Sequence, residues 1–275
     1  MFDRRTLLAA LATSSILTAS EDDDVWSQYL AWLKGRVLGD LVGLDTYRAV
    51  LAGQGLPKTE VDRRMAIISA RALKSPDAMR LWFNSMYSPH GTVGPDWPTP
   101  FLVEAVKGLT PGTSLDVCMG EGRNSIFLAA LGWKATGFDV SDVAVANTLA
   151  KAKKAGVEVT AVRSGYQEFD FGRDRWDLIV MTFAYFPIRD PKYVKRLITS
   201  MRPGGLLAFQ YGVLKKGAAQ DGNASLLGIP EEGELKAVFR DLQILKYQEA
   251  EELSDWQVDH GHRSGTTVKM LARKP

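Results

Sequence analysis

This sequence is poor in the residues that build metal and redox chemistry. It holds one cysteine, Cys118, and three histidines in 275 residues. An intramolecular disulfide and a cysteine-ligated metal cluster are therefore excluded. An excess of one charge is lacking too: 34 Lys and Arg against 32 Asp and Glu leave a formal net charge of +2. There is no basic stripe interleaved with aromatics, which argues against a nucleic-acid partner. No apolar run is long enough to span a bilayer as a helix, so stable membrane insertion is not expected. What remains is ordinary for a globular chain, 45% hydrophobic and 24% charged. The length allows one α/β domain plus an appendage.

The most informative stretch is residues 114–128, Ser-Leu-Asp-Val-Cys-Met-Gly-Glu-Gly-Arg-Asn-Ser-Ile-Phe-Leu. It predicts a buried strand ending at Asp116, a sharp turn at Gly120 and Gly122, and a helix from about Arg123. Such a turn places bare backbone N–H groups and a helix N-terminus at the carboxyl end of a strand, where open α/β sheets bind ligands. Glycine is needed there because a Cβ would block both the tight backbone and a close ligand. A dinucleotide fingerprint fails, because its third glycine would fall at Ser125 or Arg123. A nicotinamide oxidoreductase is thereby disfavoured. The phosphate-binding pattern ending in Gly-Lys-Ser/Thr is absent as well.

The run Asp116, Val117, Cys118, Met119, Gly120, Glu121, Gly122 resembles motif I of the class I S-adenosylmethionine-dependent methyltransferases. The continuation through Arg123, Asn124 and Ser125 is similar to bacterial small-molecule members, including the tellurite-resistance type. One departure is Cys118, where the family has its first glycine. A thiol fits the space but tightens the pocket or forces a different backbone angle. The single thiol also argues against arsenic methylation at a multi-cysteine site.

The resemblance covers roughly residues 95–275 and implies a Rossmann-like methyltransferase sheet with a terminal antiparallel hairpin. A second strand, 133–141, ends in an acid; Asp139 lies about the distance past the glycine turn, roughly 20 residues, at which such acids take ribose hydroxyls. Helix 142–155 has Ser141 as N-cap and Gly156 as stop. Strands are expected at 157–162, 176–182 and 206–211, with a helix at 190–201 ended by Arg202-Pro203-Gly204-Gly205. The hairpin would be 242–249 and 266–273. The resemblance implies S-adenosylmethionine as cofactor, held by Asp116, Cys118, Met119, Gly120, Gly122, Arg123 and Asn124. Asp139 and Val140 would follow on the second strand, and Thr182 at the end of the fourth. A second departure lies after the third strand, where no acid stands near Ser164 or Gly165. Adenine is instead expected on the backbone N–H of Tyr166 or Gln167, or on the Gln167 amide.

Residues 21–94 read as a helical appendage that lids the substrate site or covers a sheet edge. Trp26, Tyr29, Leu30, Leu33, Val37 and Leu41 recur at helical spacing. Helices are also expected at 57–72, where Thr59 and Asp62 make a near capping pattern, and at 77–86. Another, at 99–108, precedes the first strand. Residues 1–20 carry Arg4-Arg5, the apolar run 7–17 and a small-residue end. They resemble a twin-arginine signal peptide, which implies an exported, periplasmic protein; the alternative is an amphipathic helix on a cytoplasmic one.

Methyl transfer is an in-line displacement, so a site needs alignment and water exclusion, and a base only when the acceptor must lose a proton. The cofactor half is therefore legible and the acceptor half is not. Acceptor-side candidates are Tyr87 and His90, in the Pro/Gly-rich loop 87–98, with Tyr185 and His262. Phe183, Tyr185 and Phe186 offer aromatic walls to a sulfonium, or simple packing. His260 and His262 raise the question of a metal, but two imidazoles alone make no site, and none is assigned. The expected function is methyl transfer to a small-molecule acceptor, with homo-oligomerisation left open. The alternative is a non-catalytic or repurposed module on the same fold.

Overall fold

The computed structural model describes residues 21–36, 40–88, 94–217, 228–253 and 264–275. The chain divides into two compact units, Met1–Ser85 and Met86–Pro275.

The first unit is helical where described. Helix α1 spans 21–33 and buries Val25, Tyr29 and Leu33. That fourfold spacing puts all three on one face. The helix stops before Gly35, whose φ is +74°. The longer periodicity expected through Val37 and Leu41 therefore breaks: Val37 lies outside the described residues, and Leu41 opens a separate 3-10 turn, Leu41–Gly43. Helices α2 (Leu44–Gly53), α3 (Lys58–Ala72) and α4 (Pro76–Met86) follow. The Thr59 capping pattern is not used. The N-cap of α3 is Pro57, without a side-chain cap, so Thr59 lies inside the first turn. Tyr29, Trp32 and Tyr47 pack ring against ring, with Trp32 and Tyr47 centroids 4.7 Å apart. These aromatics are core.

The second unit is a seven-stranded sheet in the order β3-β2-β1-β4-β5-β7-β6. Its strands are β1 (Thr113–Val117), β2 (Lys134–Asp139), β3 (Thr160–Arg163), β4 (Trp176–Thr182), β5 (Met201–Gly212), β6 (Gln243–Leu253) and β7 (Ser264–Arg273). The first five pair in parallel, and β7 runs antiparallel between β5 and β6. Helices α5 (Pro100–Ala105), α6 (Arg123–Ala130), α7 (Asp142–Ala155), α8 (Pro191–Ser200) and α9 (Glu234–Val238) connect them.

Alternation along the strands builds two cores. Leu178 and Val180 of β4 join Leu206 and Ala208 of β5, against Phe101, Leu102 and Leu128. Ile179, Met181, Leu207 and Phe209 face the other way, with Phe138, Phe186 and Phe239. A central parallel strand covered on both faces must be apolar throughout, which is why β4 reads as an unbroken hydrophobic run.

Some boundaries differ from expectation. Strand β1 runs one residue past Asp116, and β3 begins at Thr160 rather than 157. Strand β5 starts at Met201, so the Pro-Gly-Gly segment lies within it at a register shift beside Trp176–Leu178. The caps of α7 stand as expected: Ser141 Oγ accepts from Ala144 N at 3.1 Å, and Gly156 is left-handed at φ +69°.

Candidate functional site

The order of β1 and β4, neighbours with chain connections leaving in opposite directions, creates a crevice at their carboxyl ends. The described loops after β1, β2, β3 and β4, which carry most of the predicted site residues, leave from that end. The turn after β1 holds three left-handed residues, Cys118 at φ +54°, Gly120 at +55° and Gly122 at +74°. Cys118 thus keeps the backbone angle a glycine would take, although a non-glycine residue there costs roughly 1–2 kcal/mol. A Cβ on Gly122 would collide with Thr148 Cγ2 of α7.

The turn's N–H groups are not bare. Met119 N donates to Phe138 O at 2.9 Å and Gly122 N to Met119 O at 3.0 Å. Gly120 N donates to Asp139 Oδ2 at 2.9 Å. A buried N–H without a partner costs as much as a lost hydrogen bond, so the fold has paired these three internally. Glycine in this turn serves close approach more than hydrogen bonding.

Asp139 is buried, at 5% exposure. Its Oδ1 accepts from Ser141 N at 2.9 Å, while Oδ2 holds Gly120 N. Burial raises its pKa to about 6, against the pull of those backbone donors. The carboxylate therefore fixes β2 to the glycine turn. Ribose hydroxyls donated to it would stabilise its charged form.

Asp116 has a different environment. Its Oδ2 accepts from Ser125 Oγ at 2.8 Å and it is 3% exposed, so it ties β1 to the first turn of α6. Burial pushes its pKa up to about 7. Asn124 and Thr182 meet in a buried network: Asn124 Nδ2 donates to Thr182 Oγ1 at 2.7 Å, and Asn124 Oδ1 accepts from Thr99 N at 3.0 Å. Thr99 Oγ1 in turn donates to Gln210 Oε1 at 2.7 Å. Four elements are pinned together here, and the sequence marks neither Thr99 nor Gln210, which lie 111 residues apart.

After β3, Tyr166 packs edge-on against Phe186 and Tyr193, with centroids 5.7 and 5.0 Å away. Gln167 is exposed, with its Oε1 2.7 Å from where a Cβ on Gly165 would stand. Arg196 of α8 donates to Tyr166 O at 3.3 Å, Gln167 O at 3.2 Å and Phe169 O at 2.8 Å. One guanidinium thus sets the shape of the loop expected to meet adenine.

Tyr87 and Tyr185 reach the same end of the sheet. Tyr87 is 5% exposed, and a Cβ on Gly120 would lie 2.8 Å from its hydroxyl oxygen. Tyr185 packs 6.4 Å from Tyr211, the penultimate residue of β5, and Phe183 lies 5.8 Å from that ring. Cys118 Sγ lies 3.8 Å from Tyr185 O. Burial pushes the Tyr185 phenol up to about 12 and those of Tyr87 and Tyr211 well above their ordinary value. All three stay protonated at neutral pH, as donors and walls rather than bases. Tyr211 escaped sequence reading, although a residue closing a parallel strand at this end is a signal for it. His90, His260 and His262 lie outside the described residues, as does the segment 1–20 with its export signal. Among the described residues no helix is long and apolar enough to cross a membrane.

The model of the family described as tellurite resistance protein TehB matches residues 99–271. Among curated proteins, hemagglutinin 1 of Eikenella corrodens is 28% identical over 181 residues, 62% of this chain and 58% of that protein. A protein of Haemophilus influenzae (strain 10810), named probable S-adenosyl-L-methionine-dependent methyltransferase TehB, is 25% identical over 184 residues, 63% of this chain and 61% of its own length. The chain thus spans about three fifths of the length of these relatives. Among solved structures, TehB from Haemophilus influenzae superposes with a TM-score of 0.54 at 24% identity, covering 63% of this chain and 61% of that one. The cyclase SpnF gives 0.51 at 18% identity over 63% and 78%. At these identities the likeness is one of fold.

Proposed function

The chain belongs to the TehB family, and on that premise we propose that it transfers the methyl group of S-adenosylmethionine to a small-molecule acceptor. The observation that carries this reading is the meeting of the Gly120–Gly122 turn with the Asp139 carboxylate at the carboxyl ends of β1 and β2. These residues fit the cofactor: the left-handed turn stands at the strand ends, and a buried acid is bonded to it. The cofactor would supply a methyl carbon on a positively charged sulfur.

In this proposal Asp139 and Val140 hold the ribose, Cys118, Met119, Gly120 and Gly122 line the turn, and Tyr166 and Gln167 flank adenine. Asp116, Asn124 and Thr182 keep strand ends and helix start in place, and Arg123, the first residue of α6, borders the cofactor. Tyr87, Tyr185 and Phe183, with Tyr211 added from the structure, form walls around the sulfonium. Aromatic faces attract a cation, and a buried, water-poor wall favours in-line transfer.

A second reading, a repurposed module on the same fold, is favoured by the cysteine in place of glycine and by the absence of an acid near 164–165. The cyclase of like fold supports keeping it. Incubation of the full chain with S-adenosylmethionine and a panel of thiols, phenols, amines and oxyanions, read by mass spectrometry, separates the two. Methylated acceptor with matching S-adenosylhomocysteine supports the enzyme. Cofactor binding without turnover across the panel supports the module.

A further inference from the structure

A cluster beside the glycine turn has no part in the assignments above. Glu121 stands between the two glycines of the turn, and its carboxylate is gripped by two side chains of α7. Asn147 Nδ2 donates to Glu121 Oε1 at 2.6 Å, and Lys151 Nζ donates to Glu121 Oε2 at 3.0 Å. Residues four apart share a helix face, so both reach the same acid.

Each of the two also holds a second group. Asn147 Nδ2 donates to the carbonyl oxygen of Tyr87 at 3.1 Å. Lys151 Nζ donates to Asp96 Oδ1. The backbone of Tyr87 and the side chain of Asp96 are thereby both tied, through Asn147 and Lys151, to one carboxylate in the glycine turn. Thr148, beside Asn147, donates from Oγ1 to Gly120 O at 3.1 Å, so α7 also fixes the turn directly.

These ties set the position of one phenol. Asn147 holds the Tyr87 carbonyl, and the hydroxyl of the same residue stands beside Gly120, 2.8 Å from where a Cβ there would lie. Resting on the proposed cofactor reading, we infer that Asn147 is a positioning residue: anchored by Glu121, it seats the Tyr87 phenol over the cofactor turn. An amide nitrogen suits the task because it offers two N–H donors to two acceptors. A carboxylate of the same shape would face Glu121 and the Tyr87 carbonyl with acceptors only.

The test is a double-mutant cycle read by calorimetric titration of S-adenosylhomocysteine into the full chain. Asn147→Asp is expected to weaken binding about tenfold, which corresponds to about 1.4 kcal/mol. In a Tyr87→Phe background the same change is expected to weaken it less than about twofold, because the hydroxyl it positions is gone. A purely structural Asn147 would give the same factor in both backgrounds, and that result overturns the inference. So does unchanged affinity in Asn147→Asp. If that variant fails to fold, Asn147→Ala, which removes both N–H donors without adding a charge, takes its place in the cycle with the same expected pattern. An unmodified chain that does not bind the ligand overturns the cofactor reading and this inference together. Binding by the unmodified chain with an additive cycle overturns this inference alone.

Discussion

The Asp139 carboxylate accepts the Gly120 amide at 2.9 Å, joining the end of β2 to the glycine turn that follows β1. A second backbone donor, Ser141 N, occupies its other oxygen. The acid expected to meet a ribose is therefore also the clamp of the turn. Asp139→Asn puts an NH2 where one of two N–H donors must find an acceptor. A buried donor left unsatisfied costs about 1–3 kcal/mol. Thermal denaturation should show that loss, and cofactor titration should show binding at least about tenfold weaker. Unchanged values in both would remove Asp139 from the site.

Burial raises Asp139 to about 6 and Asp116 to about 7. The folded chain therefore holds protons on these groups at pH values where the unfolded chain has released them. Their contribution to stability falls as pH rises from about 4 to about 7 and is flat above. Asp116→Asn removes one such group. The stability difference, unmodified minus variant, should fall across that window, as read by denaturant midpoints at pH 5 and 8. Cofactor affinity should move the opposite way, rising with pH through about 6, because ribose hydroxyls donate to the charged Asp139. Protons should be released on binding at pH 6, measurable from titrations in buffers of different ionisation enthalpy.

Cys118 sits at φ +54°. Cys118→Gly relieves a strain of roughly 1–2 kcal/mol and gives back roughly 0.5–1 kcal/mol through the freer unfolded chain. The variant should match or slightly exceed the parent in stability and still bind the cofactor. Both variants lose the sulfur packing; Cys118→Ala also keeps the strain and should be the least stable of the three. A glycine variant less stable than the alanine one would contradict this.

Gly122→Ala meets both a left-handed backbone, φ +74°, and the Thr148 methyl. Strain and overpacking together should cost more than about 2 kcal/mol. The expected result is a markedly lower thermal midpoint, partly restored by adding Thr148→Ser, which deletes the methyl and keeps the hydroxyl.

The local signals of this fold were legible. Ser141 and Gly156 cap α7 because capping depends on residues within one turn, and β4 reads as a buried strand from its own composition. The fate of the turn's amides was not legible. Gly120 N finds its acceptor 19 residues away on another strand, and nothing near Gly120 announces it. The place of Tyr87 before the sheet makes it a candidate, whereas Asn147 and Lys151 give no sign, being polar residues on a helix like many others. The helical spacing from Trp26 to Leu41 does not reveal the end of α1, because Gly35 interrupts a periodicity that otherwise continues.

Calorimetric titration of S-adenosylmethionine into the full chain, repeated with Asp139→Ala, tests the central claim most directly. The account predicts one saturable site per chain, displaced by S-adenosylhomocysteine and abolished in the variant. An absence of saturable heat with the unmodified chain, or equal binding by Asp139→Ala, would contradict it.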